Sequence, residues 1–283
     1  MTGKLYVVAT PIPIGNMEDI TLRALNILEK SDFVAAEDTR NTGRLLSYHH
    51  IKAHLLSYHE HNEEERTPVL IKKLKEGSSI ALVSDAGTPL VSDPGYRLIK
   101  EAIANNITLI PVPGVSAAVT ALSVSGFPTD SFVFIGFPPR KKTKRHDQLQ
   151  KLAKETRTII FYESPKRILC FIEEIIDVMG DRPALLAREM TKFYEEFVRG
   201  TLSEILDILK ARPVVKGELT LILGRPEKTP GLSIESLRTE IAKALESKQI
   251  KPSLLAKDLS KKYGLPKSKV YEEVLKLKED KSA

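Results

Sequence analysis

What most constrains this chain is the alternation of short β-branched runs with amphipathic stretches through its first 125 residues. Strands are predicted at 5–10, 33–36, 54–58, 79–84 and 107–112, and helices at 19–30, 40–48, 63–76, 94–105 and 115–125. In the first helix Ile20, Ala24, Ile27 and Leu28 form one apolar stripe behind Asp19, the expected N-cap. Strands that alternate with helices pair in parallel, because each helix carries the chain back across the sheet. The first 112 residues are therefore predicted to form an α/β domain with a largely parallel sheet.

The rhythm changes near residue 126. Strand 132–136, a basic loop, a helix near 145–155, strand 157–162 and helix 165–179 come first. Three β-like segments follow at 183–189, 193–199 and 217–223, with helix 202–210 opened by a Thr201…Glu204 capping box. Fewer helices per strand imply a second, mixed-sheet α/β domain over 113–225. After the linker GRPEKTPGLS, Ile234, Leu237, Ile241, Ala244 and Leu245 keep a helical period. Pro252 and Pro266 each open a further helix and Gly264 ends the earlier one. Ser260, Gly264 and Val270 have the spacing of a helix-turn-helix unit, which any compact helical hairpin also produces. A small helical domain is thus expected over 233–283, with twelve Lys/Arg against eight Asp/Glu.

Composition narrows the functional classes. The chain lacks a run of about 18 apolar residues and a signal-peptide layout, so neither a membrane span nor secretion is expected. Its single cysteine, Cys170, rules out an intramolecular disulfide framework and suits a reducing cytoplasm. No zinc-ligand spacing occurs, and no metal is predicted. The formal charge of +6 is modest, but Arg140, Lys141, Lys142, Lys144 and Arg145 crowd into six residues after GFPP. Such a cluster suits either a solvated loop or phosphate contacts to RNA.

Ligands of α/β domains sit beyond strand C-termini, which directs attention to the loops after residues 10, 36, 84, 112 and 162. VSDAGTPLVSDPG (83–95) compresses two aspartates, two glycines and two prolines into one turn. Asp85 can accept hydrogen bonds there, while Gly87 lets backbone approach closely. In PVPGVSAAVTAL (111–122), Pro113-Gly114 stops a strand and Ser116-Ala117 begins a helix whose free N–H groups suit an anion. AAEDTRNTGRLL, FYESPKR and LAREMTK place charges at further strand ends. From these clusters Glu37, Lys166 and Glu189 are the candidates for catalytic proton handling.

Taken together, VATPI…IGNMEDITLRAL, AAEDTRNTGRLL, ALVSDAGTPLVSDPG, FYESPKR and KGELTLIL resemble the tetrapyrrole methylase superfamily. More narrowly they resemble its branch that methylates small-subunit ribosomal RNA. The resemblance runs through roughly the first 225 residues. It implies two α/β domains with S-adenosylmethionine (SAM) folded into the cleft between them. It further implies 2′-O-methylation of a cytidine ribose in the decoding region of 16S ribosomal RNA by a homodimer. Carried over by motif, Asp85, Gly87, Val91, Ser116, Ala117, Tyr162, Ala187, Leu219 and Thr220 are expected to line the SAM site. The 140–145 cluster and the C-terminal helices are then expected to meet RNA. A small-molecule tetrapyrrole methylase and a non-catalytic ribosome-binding protein are the alternatives. The chain departs from its apparent relatives at Pro11-Ile12-Pro13-Ile14, where the Pro-Ile pair is doubled ahead of Gly15-Asn16.

Overall fold

The computed structural model describes residues 2–12, 16–225, 234–247, 252–263 and 267–280. The chain divides into two compact units, Met1–Arg225 and Pro226–Ala283. Of the doubled Pro-Ile turn, Pro11 and Ile12 are buried, whereas Pro13, Ile14 and Gly15 lie outside the described residues.

The first unit opens with β1 (Lys4–Val8), α1 (Leu22–Lys30), β2 (Phe33–Ala36), α2 (Thr39–Tyr48) and β3 (Leu55–Ser57). It continues with α3 (Glu63–Lys75), β4 (Ile80–Val83), α4 (Tyr96–Ala104) and β5 (Thr108–Val112). These strands form one parallel sheet in the order β3-β2-β4-β1-β5. Successive side chains of a strand point to opposite faces, so each strand feeds two cores. Leu5, Ile80 and Leu82 pack under α3 and α4, while Val8, Ala81 and Val83 pack under α1 and α2. That double coverage is why the IALV strand is buried at all four positions. The N-cap of α1 is Thr21, whose side chain accepts the Ala24 N–H, rather than Asp19. Helix α1 starts at Leu22, which puts Asp19 in the preceding turn and Thr21 at the capping position.

The second sheet is built from β6 (Phe132–Gly136), β7 (Thr158–Glu163), β8 (Pro183–Arg188), β9 (Glu196–Thr201) and β10 (Leu219–Leu223). Its order is β6-β7-β10-β8-β9, with only the β6–β7 pair parallel. Three helices, α6 (Lys142–Leu152), α7 (Ile168–Met179) and α8 (Leu202–Lys210), share a core with one face. Helix α7 buries Ile168, Phe171, Ile172, Ile175 and Met179 at helical spacing, each burial stabilising by roughly 1.5–3 kcal/mol. The remaining helix, α5 (Ala117–Ser123), packs on the other face against Ile160, Leu185 and Ile222. The chain passes from one sheet's layers to the other's in the link between β5 and α5, inside a single compact unit. Fully buried Arg182 donates to the carbonyl oxygens of Met179, Glu155 and Ala153 and so satisfies chain ends beneath α7.

The second unit holds α9 (Ile234–Ser247), α10 (Pro252–Tyr263) and α11 (Lys267–Asp280) around Leu237, Ile241, Leu255, Ala256, Leu259, Val270 and Val274. Pro252 begins α10 as expected, Val270 is core, and the expected breaks at Gly264 and Pro266 lie outside the described residues. Among the described residues no helix is long and apolar enough to cross a membrane.

Candidate functional site

The first wall of the site follows from the strand order. Neighbours β1 and β4 send their next helices, α1 and α4, to opposite faces of the sheet. The loops leaving them diverge, and such a switch point opens a crevice at the strand C-termini. Backbone bonds across its base join Thr10 N to Gly87 O (2.8 Å) and Gly87 N to Thr10 O (3.1 Å). The Thr10 hydroxyl donates to Ser84 O (3.0 Å), and the Thr88 hydroxyl donates to Val115 O (3.1 Å). A Cβ on Gly114 would stand 2.7 Å from the Ala9 Cβ, so only glycine lets the loop after β5 lie on the chain leaving β1. The loop after β4 passes through left-handed backbone at Leu90 (φ 71°) and Ser92 (φ 73°). Non-glycine residues held there store strain, which the surrounding contacts must impose.

The second wall comes from the mixed sheet. Register places Tyr162, Thr220 and Ala187 side by side across β7, β10 and β8, on the face that carries α5. The Tyr162 hydroxyl accepts the Ala118 N–H (3.0 Å), and Phe134 and Phe137 meet its ring edge-on. One of the N–H groups expected to be open to an anion at the start of α5 is thus already satisfied by this phenol. Beyond β8 the loop is strained at Glu189 (φ 51°) and Thr191 (φ 66°). Lys192 Nζ and the Glu218 N–H both donate to Glu189 Oε1 (2.8 and 2.9 Å). The Thr191 hydroxyl donates to Ile12 O (2.8 Å), which ties this loop to the one after β1.

Between the walls lies a cavity of about 360 Å³, within the range of small-molecule sites. Gly87, Val91, Ser116, Ala117, Tyr162, Leu219 and Thr220, all predicted from sequence, line it. Asp85 and Ala187 do not. Ala187 is wholly buried in the row behind Thr220. Asp85 instead joins two loops: its carboxylate accepts Asp38 N–H and Asn41 Nδ2 (both 3.1 Å), and its N–H donates to Glu37 (3.2 Å).

None of the three catalytic candidates is in the lining. Lys166 is exposed on the turn after β7. Glu37 accepts the Asp85 N–H instead, and its burial pushes the carboxyl above the usual range. Burial also works to raise Glu189, but the bonds from Lys192 and the Glu218 N–H outweigh it and leave the carboxyl low. The lining acids are instead Asp93, Glu163 and Glu218. Glu163 is bonded by Arg167 and the Ser164 N–H, and Glu218 lies 4.0 Å from Lys192. Among the described residues Asp93 has no cationic partner. Burial pushes its carboxyl up to about 7, against the pull of the Ser84 hydroxyl and with help from the charges of Glu37 and Asp85. Sequence reasoning passed over Asp93, although the second aspartate of VSDAGTPLVSDPG was a visible signal; Met190 and Phe137 carried none.

The basic cluster differs from its expected form. Lys142, Lys144 and Arg145 belong to the first turns of α6 rather than to a loop, and Lys141 is its N-cap. Arg145 forks onto Glu174 (2.6 Å to each oxygen) and donates to Pro139 O and Arg140 O, which leaves it no free face for a phosphate. Arg140, Lys141, Lys142 and Lys144 are the members left on the surface.

The sequence profile of the Tetrapyrrole (Corrin/Porphyrin) Methylases matches residues 4–206. Ribosomal RNA small subunit methyltransferase I of Halalkalibacterium halodurans is 45% identical over 278 residues, covering 95% of this chain and 93% of that protein. The protein of that name from Thermotoga maritima is 47% identical over 226 residues, covering 80% of this chain and 100% of its own length. The crystal structure of uroporphyrin-III C-methyltransferase from Thermus thermophilus, complexed with S-adenosyl homocysteine, shares the fold. Its TM-score is 0.57 at 19% identity, over 78% of this chain and 97% of that one.

Proposed function

Because this chain belongs to the tetrapyrrole (corrin/porphyrin) methylase family, we propose that it is a SAM-dependent methyltransferase of small-subunit ribosomal RNA. The acceptor is the ribose 2′-oxygen of a cytidine in the decoding region of 16S ribosomal RNA, modified in the cytoplasm by a homodimer.

The observation that carries this reading is the charge of the cavity wall. Asp93, Glu163 and Glu218 line it, with no lysine, arginine or histidine among the described lining residues. Such a wall favours a cationic ligand and repels phosphates and carboxylates. SAM, whose sulfonium and α-ammonium outweigh its single carboxylate, fits it, whereas a tetrapyrrole bearing many carboxylates does not. A neutral ribose hydroxyl can enter while the RNA phosphates stay outside, where Arg140, Lys141, Lys142 and Lys144 are exposed.

When bound, SAM supplies an already activated methyl group. The chain's own contribution is then placement and dryness. Gly87, Val91, Ser116, Ala117, Leu219 and Thr220 would hold the donor, with Ala187 filling the sheet behind Thr220. The Thr191–Ile12 tie joins the loops of the two walls, which would help to hold an acceptor oxygen in line with the methyl carbon.

Incubation with methyl-labelled SAM and immature small ribosomal subunits tests the reading. Label is expected on one cytidine ribose, located by mass spectrometry of nuclease fragments. Label in a tetrapyrrole precursor and none in RNA would replace it with the small-molecule activity. Failure to bind SAM at all would leave only a ribosome-binding role.

A further inference from the structure

The cavity holds three acids, and they are not equivalent. Glu163 is committed to Arg167 and to the Ser164 N–H. Burial raises the Glu218 carboxyl as well, but its side chain is 62% exposed and stands 4.0 Å from the cation of Lys192. Tyr162 has its oxygen occupied by the Ala118 N–H, and burial holds its phenol above the usual range. Among the described residues Asp93 is the lining acid that is half-buried without an ion pair.

Its backbone is held hard in place. Ser92 before it is in left-handed backbone, Pro94 follows, and Gly95 turns the chain at φ 130° into α4. Across the cleft, a Cβ on Gly136 would stand 2.5 Å from Ser92 Oγ. The end of β6 therefore lies against the loop that carries Asp93.

We infer that Asp93 is the general base that takes the proton from the acceptor hydroxyl. The inference rests on the proposed ribose methylation and assigns its chemistry to a residue. In the step, the acceptor O–H bond breaks and its proton passes to the Asp93 carboxylate. The freed oxygen pair forms the bond to the methyl carbon, while the carbon–sulfur pair stays on sulfur. A cation and an anion thereby become a neutral thioether and a neutral carboxylic acid, a change that a dry cavity favours. The groups facing Asp93 are Ser84, Asp85 and Glu37 from the first sheet's loops and Tyr162 from β7. None is cationic, so the carboxyl keeps the proton affinity that a base needs near neutral pH.

The test compares wild type with Asp93→Asn and Glu218→Gln. For Asp93→Asn, kcat for ribose methylation at saturating SAM is expected to fall at least about 100-fold, well beyond any change in SAM affinity that calorimetry records. Wild-type kcat/KM for SAM is expected to climb to a plateau through about pH 7, a step that Asp93→Asn loses while Glu218→Gln keeps it. An Asp93→Asn enzyme within threefold of wild-type kcat would overturn the inference, as would a loss fully explained by weakened SAM binding. So would the large kcat loss appearing in Glu218→Gln instead. One readout needs no turnover: the ¹³C carboxyl resonance missing from Asp93→Asn spectra is expected to titrate near neutrality in the unliganded protein. Titration near the ordinary value of about 4 sinks this assignment alone. Absence of any RNA methylation by wild type sinks the ribosomal RNA reading instead.

Discussion

Asp93 and Asp85 stand eight positions apart in one loop and do different things. Asp93 is poised at a cost to stability. Its folded carboxyl titrates at about 7, against about 3.9 in an unfolded chain, so the folded state binds the extra proton between those values. Stability tied to this group is full below about pH 4 and falls as pH rises through about 7. Asp93→Asn is therefore expected to raise the melting temperature at pH 8 and leave it unchanged at pH 3, checked by calorimetric scans at both. Asp85 anchors Asp38 and Asn41 on one side and Glu37 on the other. Asp85→Ala is expected to weaken SAM binding about tenfold and cost roughly 1–3 kcal/mol of stability, because two donors lose a charged acceptor. Unchanged affinity in a titration would show that the anchored loops do not shape the donor site. The role of Asp85 as an anchor was not legible in the sequence, since its partners lie 44 to 48 positions away.

At the level of elements, local signals carried far. The Thr201…Glu204 capping box is present in the structure, with Thr201 accepting the Glu204 N–H and the Glu204 carboxylate accepting the Thr201 N–H. Thr201→Ala is expected to destabilise the protein by about 1 kcal/mol with catalysis unchanged, read from urea melts alongside methylation rates. A capping box is contained in four residues, so sequence suffices to find it. Helix α6 shows the opposite case. Its KTKRHDQLQKL run buries only Leu149 and has no apolar stripe, so the basic cluster read as a loop. It is the Arg145–Glu174 fork onto α7 that gives those first turns a partner. Asp19 and Thr21 illustrate the same limit on a smaller scale. Both are capable caps, and the choice fell on the residue next to the start of α1.

At the scale of the whole molecule, the cavity and both its walls belong to the first unit. The Thermotoga relative is covered in full by 226 residues, a length matching that unit. A chain ending at Arg225 is thus expected to fold, to bind SAM as the full chain does, and to keep its kcat. Loss of the basic C-terminal helices is expected to raise KM for the RNA substrate several-fold at low salt and less so at high salt, which screens the contacts that were lost. Unfolding of the truncated chain, or loss of SAM binding, would show that the two units depend on each other. The α/β alternation, the change to a mixed sheet and the separate helical tail were all legible in sequence, because hydrophobic period is a property of neighbouring residues. The glycine- and proline-rich loops were legible too, because tight turns restrict which residue types can occupy them. The choice of acid was not. Lys166, Glu189 and Glu37 sit just past strand ends and miss the lining, whereas Asp93, ten residues beyond β4, reaches it. Which strand-end side chain faces a ligand depends on strand pairing, on left-handed turns at Ser92 and Glu189, and on contacts such as Ser92 against Gly136. By itself, the sequence determined which segments fold as strand or helix and which loops can hold a ligand. Only tertiary structure decided which carboxylate stays unpaired in the cavity, because burial and ion pairing are made between residues far apart in the chain.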